Sequence, residues 1–297
     1  MVKAWIKASR LPAQTFIFPS LLLGQMLHRN VSGSFSWFVF SLLFFLGLTM
    51  HFYIVYANDY ADYETDRFNQ TFTPFTGGSR VLVEGDLGRA SLLQGSVFMA
   101  FSTLLLAIFL SIIAGSIWPA ILAVIGIILL HAYSFYPVKL SYRGFGETLQ
   151  MAGVGLVLPL IAFTAQGGVF ADVPWLIILS LLPSQLAMAI GTALPDAPSD
   201  ILSKKRTSAV LFGNANAQRL MVLLFGVTFT LIVWQLGVVI TVPSLIFYGG
   251  LALMSGGLIY LTFFKITVPG TPGMVALTGL SIFTNTFLVL ATSLVWL

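Results

Sequence analysis

The chain has 297 residues, of which 58% are hydrophobic and only 8% charged, with a mean hydropathy of +0.96; an average soluble domain carries about a quarter charged residues, so a water-soluble fold is excluded. Cysteine is absent, which removes disulfides, thiolate metal sites and cysteine nucleophiles. The net charge of +4 and pI near 9.4 come from basic residues scattered singly beside apolar segments, a pattern of membrane orientation rather than of nucleic-acid binding.

A helix needs about 20 apolar residues to cross the hydrocarbon of a bilayer. Nine segments come close: 11–27, 37–56, 92–114, 118–136, 148–166, 175–194, 217–239, 243–264 and 274–296. The expected fold class is all-α, a polytopic membrane bundle of about nine transmembrane helices. Lys3, Lys7 and Arg10 precede the first apolar run as in a signal peptide, but no small-x-small cleavage site follows it and further spans do, so it is read as a retained first helix. The short connections 115–117 and 240–242 imply antiparallel hairpins. Pro119, Pro137, Pro174, Pro243 and Pro272 fall near helix ends, whereas Pro159 inside the fifth span predicts a kink. The layout is a single domain, 1–297, with one leading helix and two four-helix halves at about 37–166 and 175–296.

With the N-terminus in the cytoplasm, thirteen of the 14 basic residues fall in cytoplasmic segments and only Arg29 lies outside, as the positive-inside rule requires. Nine of the 10 acids, all but Asp172, share that face, although the rule makes no demand on acids. The two long loops, 57–91 and 195–216, hold most of the acids, and long loops in compact folds are usually functional or disordered.

The first loop opens Asn58-Asp59-Tyr60-Ala61-Asp62-Tyr63-Glu64-Thr65-Asp66. On a continuous helix Asn58, Asp59, Asp62 and Asp66 share one face. Three carboxylates that close together destabilise a helix unless a cation neutralises them, and magnesium prefers one or two carboxylates supplemented by water and substrate phosphate. Asp196 and Asp200 repeat the four-residue spacing at the end of the sixth span, so two facing clusters are expected to hold two ions across one diphosphate. Pro198, between them, predicts a bent turn. Cationic residues accompany both motifs: Arg80 follows the glycines of Thr76-Gly77-Gly78-Ser79, and Lys204, Lys205 and Arg206 follow Ser203. Acids with a metal facing Lys and Arg suit the binding of a diphosphate; the alternative for Lys204 to Arg206 is a topogenic or lipid-headgroup cluster. A third loop, Tyr133 to Glu147, offers Tyr133, Lys139 and Arg143, which could stabilise a cation and contact an anion or, for the tyrosine, simply belong to the interfacial belt. His51 lies about 12 Å deeper than Asp59 along the second span. It joins His131, Gln150, Gln185 and Asn285 as polar groups inside spans, most of them expected to make interhelical hydrogen bonds.

Asn-Asp-x-x-Asp-x-x-x-Asp at 58–66 and Asp-x-x-x-Asp at 196–200, in a nine-span chain, resemble the UbiA superfamily of intramembrane prenyltransferases. Gly77 to Leu82, Tyr142 to Glu147 and Lys205-Arg206-Thr207 look like its MenA branch, with Lys204 where that branch usually has glycine and with Pro195 and Pro198 as departures. The resemblance implies magnesium on Asp59, Asp62, Asp66, Asp196 and Asp200, and an isoprenoid diphosphate contacted by Asn58, Arg80, Lys205 and Arg206. Tyr133, with Lys139 or Arg143, would shield an allylic cation or hold the aromatic acceptor. It also implies prenylation of 1,4-dihydroxy-2-naphthoate in menaquinone synthesis, in the cytoplasmic membrane with the site facing the cytoplasm. Polyprenyl diphosphate, an aromatic acceptor and membrane lipid are the expected partners, and neither nucleic acid nor a protein partner is expected. Other branches would use 4-hydroxybenzoate, homogentisate, a chlorophyllide or a glycerol phosphate ether as acceptor. A cation-coupled transporter is the alternative of a different class, and it would place its acids near mid-membrane.

Overall fold

The computed structural model describes residues 1–236 and 242–295. Its regular secondary structure is helical, with no strand among the described residues, and the longest non-helical segment is 69–88. A short helix, α1 (Val2–Ala8), and a 3-10 turn (Leu11–Phe16) lead into α2 (Phe18–Ser32). Then come α3 (Trp37–Ala61), α4 (Tyr63–Phe68), α5 (Arg89–Ala114), α6 (Trp118–Ser134) and α7 (Gly146–Ala152). A π-helical turn at Gly153–Val157 joins α7 to α8 (Leu158–Ala165). The chain continues through α9 (Trp175–Ala193), α10 (Ala197–Leu202), α11 (Ser208–Phe212), α12 (Asn214–Leu236), α13 (Val242–Phe264) and α14 (Pro272–Val295).

Seven of these rods are long and apolar enough to cross a membrane: α3, α5, the α7–α8 rod, α9 with α10, α12, α13 and α14. The apolar helix α6 is shorter, at 17 residues, and α2 has 15. The first expected span is therefore displaced. Pro19 sits in the first turn of α2, where its missing N–H costs nothing, so the helix starts at Phe18 and runs on through Gln25, His28 and Arg29 to Gly33. Those polar residues hid its second half from a hydropathy reading, and at about 22 Å it is shorter than the hydrocarbon layer. The 240–242 connection and the outer ends of the seventh and ninth expected spans lie outside the described residues.

Neighbouring rods pack in sequence: α3 on α5, α5 on α6 and α6 on α8, then α9 on α12, α12 on α13 and α13 on α14, with α14 returning to α9. Helix α2 lies against α8, α14 and α3. Burial follows this arrangement. Helix α8 is buried on all sides, with Phe163 and Ile161 at 0% exposure. By contrast α5 turns Val97, Phe98, Phe101, Leu105, Ile108 and Ile112, one helical face, outward. Apolar exposure on that scale is stable only in lipid. Before Pro159 the chain makes the π turn, which absorbs the hydrogen bond that the proline cannot donate. Away from the carboxylate-bearing loops, Gln166 donates to Gln25 Oε1 at 2.9 Å and accepts from the Ser36 N–H at 2.9 Å, pinning the α2–α3 turn to the end of α8. Within the spans Asn285 donates to Gln185 Oε1 at 3.3 Å, an interhelical bond of the kind expected.

The α2–α8 contact depends on Gly24, where a Cβ would lie 2.0 Å from the carbonyl oxygen of Pro159 and 2.9 Å from the Ala162 methyl. Gly24→Ala must push two buried helices apart, at a cost of about 1–3 kcal/mol, and is expected to lower the melting temperature of the detergent-solubilised protein by several degrees; an unchanged melting curve would show that the contact is not tight.

Candidate active site

Helix α3 carries Asn58 and Asp59 on its last turn and ends at Asp62, which serves both as its C-cap and as the first residue before α4. Hydrogen bonds from Asp62 N to Asn58 O (2.8 Å) and from Asp66 N to Asp62 O (2.9 Å) carry the helical path across the join. The single continuous helix expected over 58–66 is thus interrupted at Asp62, and the four motif side chains do not all face one way. Asn58, Asp62 and Asp66 line a cavity of about 240 Å³. Asp59 is turned off its wall: it accepts from the backbone N–H of Ser79 at 3.1 Å and from the Ser79 hydroxyl, and lies 3.7 Å from the Arg10 guanidinium.

Across the cavity, α9 gives way at Ala193 to a 3-10 turn over Leu194–Asp196, and α10 restarts at Ala197. The bent turn expected at Pro198 is present, and the proline falls in the first turn of α10, where it is tolerated. Asp196 and Asp200 both line the cavity. The two motifs are stitched together twice. Asn69 Nδ2 donates to Asp196 Oδ1 at 2.8 Å, and Lys205 Nζ, from the loop after α10, donates to Asp62 Oδ2 at 2.9 Å. Thr207 donates to Asp200 Oδ2 at 3.2 Å, and the Tyr142 hydroxyl lies 3.4 Å from Asp62 Oδ1 while bonded to Thr65 at 2.8 Å.

In the glycine loop one residue is fixed by close packing against the first motif. Gly78 has φ +72° and approaches so closely that a Cβ there would lie 2.3 Å from Asp66 Oδ2, so no other residue fits. Arg80 takes a different part from the one expected. Its own φ is +64°, its Nη1 donates to the carbonyls of Asp66 and Asn69 at 3.2 Å each, and it packs over the Phe72 ring, outside the cavity lining. It holds the loop's shape from behind. Tyr133 lines the cavity with its ring 5.9 Å from Lys205 Nζ. Lys139, over the Tyr142 ring at 3.6 Å, Arg143, bonded to the Pro137 carbonyl at 2.9 Å, and exposed Arg206 do not line it. Of the twelve residues singled out from sequence, the structure brings Asn58, Asp62, Asp66, Tyr133, Asp196, Asp200 and Lys205 to one cavity.

Sequence reasoning missed Arg10 and Asn69, both in the cavity wall. Asn69 continues the Asp62, Asp66 spacing by three residues and was legible in principle. Arg10 looked like one more orienting charge. Below the carboxylates the walls turn apolar, with Met50, Ile54, Leu129, Leu149, Val154 and Leu158. The cavity therefore joins a charged end to an apolar one.

Burial of so many charges shifts their titration. Asp66 is pushed up to about 9, first by burial and then by the neighbouring Asp62 and Asp59 carboxylates. Burial alone would lower the Lys205 ammonium, but Asp62 beside it holds it well above its usual value. Among the described residues no three carboxylate or imidazole groups converge as a ready-made metal cage; the carboxylates are instead engaged by Ser79, Lys205, Asn69 and Thr207.

The Asp66 shift has a definite sign. An unfolded chain releases this proton near pH 3.8 and the folded chain keeps it to about 9, so between those values the group increasingly opposes folding as pH rises. The melting temperature of the protein in chelator is expected to fall from pH 5 to pH 9, and Asp66→Asn to flatten that fall; an identical slope in the variant would contradict the assignment.

Comparison with known proteins agrees with this architecture. The UbiA prenyltransferase family matches residues 17–283. A 1,4-dihydroxy-2-naphthoate octaprenyltransferase of Bacillus subtilis (strain 168) is 27% identical over 128 residues, 43% of this chain, and the match spans 40% of that relative's length. A UbiA homolog from Archaeoglobus fulgidus bound to GPP and Mg2+ superposes with a TM-score of 0.65 at 14% identity, covering 97% of this chain and 99% of that one. A structure described in connection with digeranylgeranylglyceryl phosphate synthase gives 0.62 at 19% identity over 99% and 98% of the two chains. With the family match running over nearly the whole length, the chain belongs to the UbiA prenyltransferase family.

Proposed function

We propose that this protein transfers a polyprenyl group from an isoprenoid diphosphate to an aromatic acceptor, 1,4-dihydroxy-2-naphthoate, as a step of menaquinone biosynthesis. The observation that carries the reading is the single cavity whose charged end holds Asp62, Asp66, Asp196, Asp200 and Lys205 and whose other end is apolar. Only a substrate with a polyanionic head and a hydrocarbon tail matches both ends. The naphthoate acceptor is supported by the Bacillus subtilis relative, and the diphosphate by the Archaeoglobus fulgidus structure bound to GPP and Mg2+.

The residues fit magnesium. Asn58 Oδ1 is buried without a hydrogen-bond partner, and the missing Cβ of Gly78 leaves room at Asp66; hard oxygen donors of this kind are what the ion takes. Asp62, Asp66, Asp196 and Asp200, with the Asn58 carbonyl, would hold Mg2+, two ions in our reading, and Asp59 would support them from behind through Ser79. Bound there, Mg2+ supplies positive charge that stabilises the departing diphosphate. Lys205 exchanges its bond to Asp62 for the diphosphate oxygens. The C1–O bond of the donor breaks, the ring of Tyr133 faces the allylic cation, and an acceptor ring carbon bonds to C1. For a carboxylated acceptor, carbon dioxide is lost at the alkylated position. The apolar walls exclude water that would otherwise capture the cation. The chain acts as one unit, a leading helix with two four-helix halves, in the cytoplasmic membrane with the cavity open to the cytoplasm.

Membranes containing the protein, incubated with magnesium, labelled isoprenoid diphosphate and dihydroxynaphthoate, are expected to yield a prenylated naphthoquinol. Asp62→Ala or Asp196→Ala is expected to lose activity about a hundredfold or more while still inserting. Product only from another phenol would overturn the acceptor, and full activity in either variant would overturn the metal site. Because the chain has no cysteine, orientation is testable with single introduced thiols. Arg143→Cys is expected to react with a membrane-impermeant maleimide from the cytoplasmic side, and Arg29→Cys only from the opposite side; the reverse pattern would invert the topology.

A further inference from the structure

Helix α1 is held against the bundle at three points. The Lys7 ammonium reaches Glu84 and, at 2.9 Å, Asp86 on the segment after the glycine loop. The Trp5 ring stands edge-on to Tyr56 of α3, with ring centroids 5.3 Å apart, and fills the space beside Gly95, where a Cβ would come within 2.8 Å of it. The third point is His51. Buried in α3 and touching the cavity lining, it commits Nε2 to the carbonyl oxygen of Ser9, 2.7 Å away. A carbonyl can only accept, so Nε2 carries the hydrogen.

The residue next to Ser9 gives the third anchor its purpose. Arg10 sits in the left-handed region, at φ +43°, a conformation that an arginine keeps only where its surroundings impose it. The turn directs the side chain back over the end of α3. There the guanidinium lies 3.7 Å from Asp59 Oδ1, and Nη2 donates to the Phe75 carbonyl at a long 3.4 Å. Most of its N–H donors stay unengaged by these two contacts, and Arg10, not Asp59, forms the cavity wall. A fixed cation with spare planar donors at the charged end of a cavity is suited to phosphate oxygens.

We propose that His51 is a positioning residue: by holding the Ser9 carbonyl from within the membrane-crossing helix α3, it sets the left-handed turn that presents Arg10 to the cavity, where Arg10 binds the diphosphate of the donor. The inference rests on the proposed diphosphate substrate. It assigns a part to the buried histidine and to the strained arginine, which that proposal leaves without one.

The test uses the full chain in detergent and pyrophosphate with magnesium as the probe, titrated calorimetrically. Arg10→Gln is expected to weaken binding about tenfold, the value of one charge-assisted contact, and His51→Leu by a similar factor. The double variant is expected to be no weaker than Arg10→Gln alone, because His51 acts only through Arg10. His51→Gln, whose side-chain amide can still donate to the Ser9 carbonyl, is expected to restore most of the affinity, which a mere packing role would not allow. In the transfer assay the same variants raise KM for the donor more than they lower kcat. Additive losses in the double variant, or unchanged binding in His51→Leu, would overturn this inference alone. If His51→Leu fails to fold, His51→Phe takes its place, and the same outcomes apply. A wild-type protein that binds no pyrophosphate would overturn the diphosphate substrate together with this inference, and binding that is intact in Arg10→Gln would overturn only the role given to Arg10 and His51.

Discussion

Four carboxylates, Asp62, Asp66, Asp196 and Asp200, are gathered around one small cavity at the end of a membrane bundle, and nearly everything nearby answers the cost of keeping them there. Charge withdrawn from water is penalised heavily unless it is paired or neutralised. The protein uses both solutions. Lys205 pairs with Asp62, Asn69 and Thr207 bond Asp196 and Asp200, and the Asp66 carboxyl holds a proton far above its ordinary range. These same contacts tie the loop after α3 to the loop after α9. The electrostatic solution and the assembly of the site are one set of bonds.

The opposite end of the cavity obeys a different rule. Met50, Ile54, Leu129 and Leu158 make its lining mainly apolar, with His51 and Gln150 as polar groups among them, and the π turn before Pro159 brings Gly153 and Val154 into the same wall. Local departures from regular helix concentrate where the cavity is built: the interruption at Asp62, the 3-10 turn at Asp196, the left-handed Arg10 and the π turn. Irregular backbone at such depth is tolerated where protein surrounds it or it lines a cavity.

How much of this was legible in the sequence depended on which force placed each residue. Hydropathy marks where a helix can cross, so the long rods were readable, while α2 was misplaced because Gln25, His28 and Arg29 continue a helix that the apolar run does not announce. The aspartate spacing named Asn58, Asp62 and Asp66 for the cavity, but it put Asp59 on the same face, whereas one residue on from Asn58 the helix has turned about 100° and Asp59 points to Ser79 instead. Arg80 was chosen for standing next to glycines. Its guanidinium is absorbed by the carbonyls of Asp66 and Asn69, a tertiary choice that no spacing encodes. Arg10 reads in the sequence as an orienting charge, because its place in the wall depends on a turn whose Ser9 carbonyl is held by His51, 42 residues on. Motif arithmetic finds residues that neighbours in sequence bring together, and it is blind to those delivered by a fold.

The outward face of α5, with Phe98, Phe101, Leu105 and Ile112 against the hydrocarbon, bears on ancestry as well as on solvation. Lipid tails are as apolar as leucine and do not interlock with the side chains they surround. One large aliphatic or aromatic residue there serves as well as another. Such faces are free to drift so long as they stay greasy, whereas a crossing like Gly24 on Pro159 is not. A scaffold of this kind can keep its path through the membrane while most letters change, as the TM-score of 0.65 at 14% identity illustrates. In proteins solvated by oil, shape outlives spelling.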